Sequence, residues 1–289
     1  MLTKQLRWTL LFVLSLIWGS SFILIKKGLI GLSPYQLGAL RVIFTCAFLL
    51  IIGFKSLTEI RLHQWKYIAI TALFGTFIPA FLFAIAETKV SSSICSILNS
   101  LTPLNTLLIG ILGFGMTFKR SQFIGVVIGL IGTAILIFNG KTSGADNNYY
   151  YALLVIIASI CYAMNVNLIK KYLSDVKPLS ITTGNFLVML IPALIILSCT
   201  NFFEIVSLPK TQHAMLFIMI LGVVGTGIAN ILFFKLIQMS SPVFASSVTY
   251  LIPIVAFFWG LLDSESLTAL QFFGAFIILV GVYLANKKY

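Results

Sequence analysis

The stretch WGSSFILIKKGLIGLSP, Trp18 to Pro34, sets two lysines into a run that otherwise reads as membrane-buried, and LIKKYLSDVKP, Leu168 to Pro178, repeats the same Lys-Lys-x6-Pro spacing 144 residues later. Eighteen uncharged residues separate Arg7 from Lys26. A helix from Trp8 to Lys27 is about 30 Å long, the thickness of a bilayer's hydrocarbon core. Lys26 and Lys27 therefore mark a helix end, their stems along the last apolar turn and their ammonium groups at headgroup level, where they also suit the negative end of the helix dipole.

Composition agrees with a membrane protein. Hydrophobic residues make up 60% of the 289 and charged residues 9%, far from the balance of a soluble domain. Charges, Pro, Gly and Asn punctuate the chain into ten predicted spans, near 8–27, 35–54, 65–87, 90–112, 121–139, 150–170, 179–200, 213–235, 242–262 and 270–286. With loops alternating sides, Lys26, Lys27, Lys89, Lys141 and Lys210 fall on one side, and every other basic residue outside the spans falls on the other. The positive-inside rule then places both termini in the cytoplasm of a multi-pass cell-membrane protein. The net charge of +12 is a topology signal scattered through short loops, and it offers no nucleic-acid surface. Only seven residues precede the first span and no small-x-small site follows it, so no cleavable signal is expected. Cys46, Cys95, Cys161 and Cys199 all fall within spans, which argues against disulfides, and neither a metal site nor a cofactor is expected.

The repeat extends beyond the lysines. Ser15, Trp18, Lys26, Lys27 and Pro34 recur as Ser159, Tyr162, Lys170, Lys171 and Pro178; Gly75, Thr76, Phe83, Ser96 and Pro103 recur 150 residues on as Gly225, Thr226, Phe233, Ser246 and Pro253. Gln122, Phe123, Gly125 and Gly132 recur as Gln271, Phe272, Gly274 and Gly281. The expected fold is an all-α membrane protein of ten transmembrane helices, built from a five-helix repeat at 1–139, a linker loop at 140–149 and a second repeat at 150–289. Because five is odd, the second repeat enters the membrane from the opposite side. Such inverted repeats underlie alternating access, each half closing one side of a shared cavity.

These features resemble the EamA type of the drug/metabolite transporter superfamily. WGSSFILIK (Trp18 to Lys26), Arg41, NSLTP (Asn99 to Pro103), TYLIP (Thr249 to Pro253) and the Gly-x6-Gly endings of spans 5 and 10 carry the resemblance. It implies a cavity lined mainly by spans 1, 3, 4, 6, 8 and 9, and exporter-like activity toward amino acids or related metabolites. An acidic residue expected after span 4 is replaced by GFGMTFK (Gly113 to Lys119), whereas DSESLT (Asp263 to Thr268) keeps one after span 9.

The site can also be read from geometry. Ser92, Ser96, Asn99 and Pro103 are spaced for one helix face, and Pro242, Ser246, Thr249 and Pro253 form the matching stripe. Such stripes either line a cavity or let helices pack closely. Prolines within spans release backbone carbonyls, which makes Pro103 and Pro253 candidate hinges. Trp18 and Tyr162 lie near mid-membrane, away from the usual aromatic belts, and are candidate cavity walls or gates. Asn165, Asn167 and Asn230 carry amides too costly to face lipid. Arg41 is the one basic residue well inside a span; it either binds a substrate carboxylate or forms a structural ion pair with Glu87. His63 and His213 read as surface residues.

No Asp or Glu lies near a span centre, so the expected cargo is uncharged or zwitterionic. The residues an enzyme would need do not assemble on any pair of spans, and no catalytic activity is expected. The leading reading is a secondary transporter exporting amino acids or related small neutral or zwitterionic metabolites, its partners the cargo and the lipid bilayer, acting as a monomer or homodimer. The alternative is a lipid or small-drug carrier on the same scaffold.

Overall fold

The first apolar run folds as one helix, α1 (Leu2–Gly28), in a computed structural model that describes residues 2–90, 92–117, 119–138, 149–262 and 269–285. Ser33 then caps α2 (Pro34–Gly53): its hydroxyl accepts from the Gln36 N–H while Gln36 reaches back to the Ser33 N–H, and Pro34 stands in the first turn, where no N–H is needed. Pro178 likewise stands in the first turn of α7 (Pro178–Ser198), without a side-chain cap from Lys177, after α6 (Tyr149–Tyr172) has ended just past Lys170 and Lys171. The Lys-Lys-x6-Pro pattern thus encodes one helix stopping and the next beginning. Lys26 and Lys27 are exposed, as a snorkelling pair should be. Lys170 is used differently. Its ammonium donates to the carbonyls of Ile237, Gln238 and Ser240 at 2.7–3.2 Å, and so supplies a cation to the end of another helix.

That helix is α8 (Pro209–Met239), the counterpart of α3 (Leu62–Ala86). Both change winding in mid-course, to π-helix over Leu73–Phe77 in α3 and over Leu221–Ile228 in α8. The sequence of α3 gives a reason: Pro79 has no N–H for the Gly75 carbonyl, so regular α-helix cannot run through this turn. In α8 the Thr226 hydroxyl bonds the Leu221 carbonyl five residues back, at 2.9 Å. Spans 4 and 9, expected to be continuous, are each broken. α4 runs Ser92–Asn99, turns through Ser100 and Leu101, and resumes over Thr102–Phe114; α9 runs Pro242–Ser246 and resumes over Val248–Leu262. Gly115, at φ 61°, closes α4 in the left-handed conformation that glycine adopts without strain.

The remaining long helices are α5 (Arg120–Phe138) and α10 (Ala269–Ala285), and short turns of helix follow α2 at Phe54–Glu59 and α7 at Phe202–Ile205. α5 and α10 meet backbone to backbone. A Cβ on Gly132 would lie 2.7 Å from the Ile278 nitrogen, and one on Gly281 would lie 2.6 Å from the Gly129 nitrogen. This is the purpose of the Gly-x6-Gly endings: small residues let membrane helices approach where lipid provides no hydrophobic drive.

Every regular element among the described residues is helical, and six helices are long and apolar enough to cross a membrane: those within Lys4–Gly28, Pro34–Glu59, Leu62–Ala86, Tyr150–Tyr172, Pro178–Ser198 and Pro209–Met239. Large apolar side chains such as Phe12, Ile51, Leu112, Ile191 and Phe276 are exposed on the outer surface, the opposite of a soluble protein and suited to lipid. Cys46, Cys95, Cys161 and Cys199 are free thiols, the first three buried. Residues 140–148 of the expected linker loop and the segment Asp263 to Thr268 lie outside the described residues, as do the side chains of Gln271 and Phe272; Tyr149, placed last in that linker, already begins α6.

Contacts between the two parts of the chain follow the sequence repeat. Where α3 begins and α6 ends, Arg61 pairs with Asp175 at 3.7 Å and Gln64 donates to the same carboxylate. Where α8 begins and α1 ends, the corresponding positions hold Thr211 and Gly31, and the Thr211 hydroxyl donates to the Gly31 carbonyl at 3.3 Å.

Candidate functional site

The π segments and the helix breaks converge on one cavity. It has a volume of about 80 Å³ and draws its lining from α1, α2, α3, α4, α6, α8 and α9. Six pairs of lining residues are related by the repeat: Trp18 with Tyr162, Ser21 with Asn165, Thr76 with Thr226, Phe83 with Phe233, Asn99 with Thr249, and Thr102 with Ile252. The cavity is therefore built twice from similar parts.

Aromatic rings frame it. Trp18 meets Phe233 edge to face, with centroids 4.9 Å apart, and the repeat counterparts Tyr162 and Phe83 stack at 6.1 Å. The Trp18 indole N–H also donates to the Gly225 carbonyl at 3.0 Å, inside the π segment of α8. π-Turns of this kind expose backbone groups to side chains and ligands. Gly19, the next residue, faces Val255 and the Ile252 carbonyl with no room for a Cβ, so α1 is also packed closely on α9.

The polar lining is less even than the aromatic frame. On α2, Arg41 donates through Nε to the Thr226 hydroxyl at 2.7 Å, and Thr45 donates to the Gly222 carbonyl at 2.8 Å, so α2 is fixed against the π segment of α8. The counterpart of Arg41 is Asn185, which hydrogen-bonds Thr71 at 3.1 Å and does not reach the cavity. In the other half, Gly75 lies directly against the Asn165 amide. There the Thr76 hydroxyl and Asn165 Oδ1 are buried with no hydrogen-bond partner.

The broken helices satisfy the carbonyls that their prolines release. Pro103 cannot bond the Asn99 carbonyl, which accepts instead from the Thr102 hydroxyl at 2.7 Å. Pro253 likewise leaves the Thr249 carbonyl free, and Ser100 of α4 donates to it at 3.1 Å. The two breaks are thereby tied to each other.

Of the residues singled out in the sequence, Trp18, Asn99, Tyr162, Asn165, Asn230, Ser246, Thr249 and Arg41 line this cavity together. Ser92, Ser96, Pro103, Pro253 and Glu87 do not. The Ser92 hydroxyl donates to Glu87 Oε2 at 2.9 Å; Ser96 is buried in α4. Asn167 faces a helix contact, donating to the carbonyls of Thr106 and Ala163. Among the described residues the ion pairs within 4.0 Å are Arg61 with Asp175 and Lys177 with Glu59, so Arg41 and Glu87 are not in salt-bridge contact. Ser21, Thr76, Thr102 and Thr226 were not expected at the site. Thr76 and Thr226 carried a signal all the same, as a polar pair kept at the repeat spacing in mid-span.

Comparison with known proteins gives a consistent picture. The model of the EamA-like transporter family matches residues 6–138 and again residues 150–287. The chain is 27% identical over 282 residues to the uncharacterized inner membrane transporter YedA of Escherichia coli K12, covering 96% of this chain and 89% of YedA. It is 26% identical over 277 residues to a protein named "Probable amino-acid metabolite efflux pump" from the same organism, covering 93% and 90%. A solved crystal structure shares the fold, with a TM-score of 0.73 over 96% of this chain and 95% of that one at 17% identity.

Proposed function

The chain belongs to the EamA-like transporter family, and on that premise we propose that it is a secondary carrier exporting amino acids or related small neutral or zwitterionic metabolites by alternating access. The observation that carries this reading is the polar cavity built from repeat-related residues of both halves of the chain. In this reading the ten helices α1–α10 form two inverted five-helix repeats, 1–139 and 150–289, and each half closes the shared cavity on one side in turn. The paired contacts of Arg61 with Asp175 and of Thr211 with Gly31 stand where such closures would form. The efflux-pump relative supports amino-acid metabolites as cargo. A cavity of about 80 Å³ carrying three amides and an arginine suits small polar solutes, and it is well below the roughly 300–1,000 Å³ of pockets that take drug-sized ligands. That weighs against the lipid or small-drug alternative.

Asn99 provides the test. Its amide both donates and accepts, it is 5% exposed, and it sits on the wall where α4 breaks. Asn99→Leu is expected to reduce solute counterflow in proteoliposomes by tenfold or more, while the amount of folded protein in the membrane changes less than twofold. Wild-type kinetics in this variant would remove Asn99 from the cargo site.

The proposed orientation has both termini in the cytoplasm. A single cysteine at Asn147 is expected to react with an impermeant maleimide applied to intact cells, and one at Thr58 to react only after lysis. The reverse pattern would invert the assignment.

A further inference from the structure

We infer that the cavity holds its cargo in one orientation, with a carboxylate on the Arg41 guanidinium and an ammonium on the acceptor oxygens of Thr76 and Asn165. This rests on the carrier reading above and narrows the cargo to free α-amino acids.

Three observations carry it. Arg41 is the one charged residue among the described residues lining the cavity. Its Nε is held by Thr226 at 2.7 Å, which fixes the plane of the guanidinium and leaves the end bearing the two terminal nitrogens. Among the described residues these nitrogens have no hydrogen bond, and no carboxylate lies within 4.0 Å of them. That end of a guanidinium is the fork that matches a carboxylate through two parallel N–H···O bonds. Glu87 acts on Arg41 only through space, so among the described residues no anion touches the fork until the cargo brings one.

The second pole is the pair of orphaned oxygens. Thr76 Oγ1 and Asn165 Oδ1 are both buried, both belong to the cavity lining and both lack a partner. They lie on two helices, α3 and α6, that meet where Gly75, the residue before Thr76, packs on the Asn165 amide. A buried acceptor left unpaired is expensive, and an ammonium offers three N–H donors to settle two of them at once. The repeat shows that this vacancy is specific to one half. Thr226, the counterpart of Thr76, is satisfied from within by Arg41 and the Leu221 carbonyl, and Ser21, the counterpart of Asn165, donates to the Ile17 carbonyl at 2.9 Å. One half of a doubled site has thus been filled with a fixed cation while the other keeps buried, unpaired acceptors just behind its wall. A site with two unlike poles orients a molecule that has two unlike ends.

The test uses the full-length protein in proteoliposomes and counterflow, which needs no driving force. Labelled L-leucine, L-phenylalanine, L-threonine and L-cysteine are offered as cargo. Each amino acid is then compared, as an unlabelled competitor, with its carboxamide, its decarboxylated amine and its deaminated acid. All three analogues are expected to compete at least about tenfold less well than the parent amino acid, the scale of losing a charge-assisted hydrogen bond. Arg41→Gln should abolish the preference for the parent over its carboxamide. Thr76→Val with Asn165→Leu should abolish the preference for the parent over its deaminated acid. Amides or amines that compete as well as the parent overturn the inference while leaving a working carrier. So does transport of other solutes with none of the four amino acids moved. Because the competitor series is read on the wild-type protein, the inference stays refutable even if Arg41→Gln does not fold. Failure to move any solute would count against the carrier reading itself.

Discussion

Gly281→Leu is expected to remove most of the folded protein from the membrane. The Cβ at this position would lie 2.6 Å from the Gly129 nitrogen and 2.7 Å from the Gly125 carbonyl oxygen. These are backbone atoms of α5, so nothing can swing aside; the two helices must part along the seam that Gly125, Gly129, Gly132, Gly274 and Gly281 make. Overpacking a core costs about 1–3 kcal/mol even where side chains can adjust, a sizeable fraction of the total stability of an ordinary domain. Gly132→Leu should act alike from the other helix, where the obstacles are the Ile278 nitrogen at 2.7 Å and the Gly274 carbonyl at 2.9 Å. Gly113 provides the control, since a Cβ there meets nothing within 4 Å. The measurement is the monodisperse fraction after solubilisation, together with the thermal midpoint in detergent. Gly281→Leu at wild-type yield and midpoint would show that the α5–α10 seam is not as close as its glycines imply.

That seam was legible in the sequence because a glycine's role as a spacer depends on periodicity alone, and Gly-x6-Gly occurs twice at a spacing of 149. The helix boundaries at Pro34 and Pro178 were legible for a similar reason, since proline in a first turn acts locally. The breaks at Ser100 and Ser247 were not: a serine before an apolar run fits a continuous helix equally well, its hydroxyl bonding back along its own helix as Ser247 does to Phe244, and only the crossing of α4 and α9 gives Ser100 its second acceptor at Thr249. The site divides along the same line. Trp18, Asn99 and Asn165 stood out because such groups are costly in lipid, while Ser21 and Thr102 look like any small residue that eases packing. Arg41 shows the limit most clearly. The sequence offered it a carboxylate partner in Glu87; in the fold the two interact only through space, Glu87 accepting from Ser92 while Arg41 donates to Thr226, a pairing 185 residues apart that no local pattern could announce.

Pro103→Ala and Pro253→Ala are expected to slow turnover by about tenfold, equivalent to roughly 1.4 kcal/mol in the barrier, while moving the accessibility of the cavity in opposite directions. Each alanine restores an N–H aimed four residues back. At Pro253 the target is the Thr249 carbonyl, now held by Ser100 of α4, so the new bond displaces the tie between the two broken helices. At Pro103 the target is the Asn99 carbonyl, now held by Thr102 of the same helix, so the change stiffens α4 and leaves the tie intact. In the alternating-access scheme proposed above, straightening one half favours the facing in which that half is closed, and the halves therefore oppose each other. Single cysteines on the two cavity mouths report the shift as a change in maleimide labelling rate. The Ser100 tie adds a second, independent reading. Ser100→Ala leaves a buried carbonyl unpaired, at a cost of about 1–3 kcal/mol, and Pro253→Ala added to it supplies the missing donor. The double variant is thus expected to be more stable than Ser100→Ala alone, a sign that additivity cannot produce if Pro253→Ala by itself is neutral or destabilising. Shifts in the same direction for both proline variants, or no stability rescue in the double variant, would reduce these prolines to packing features with no part in the transport cycle.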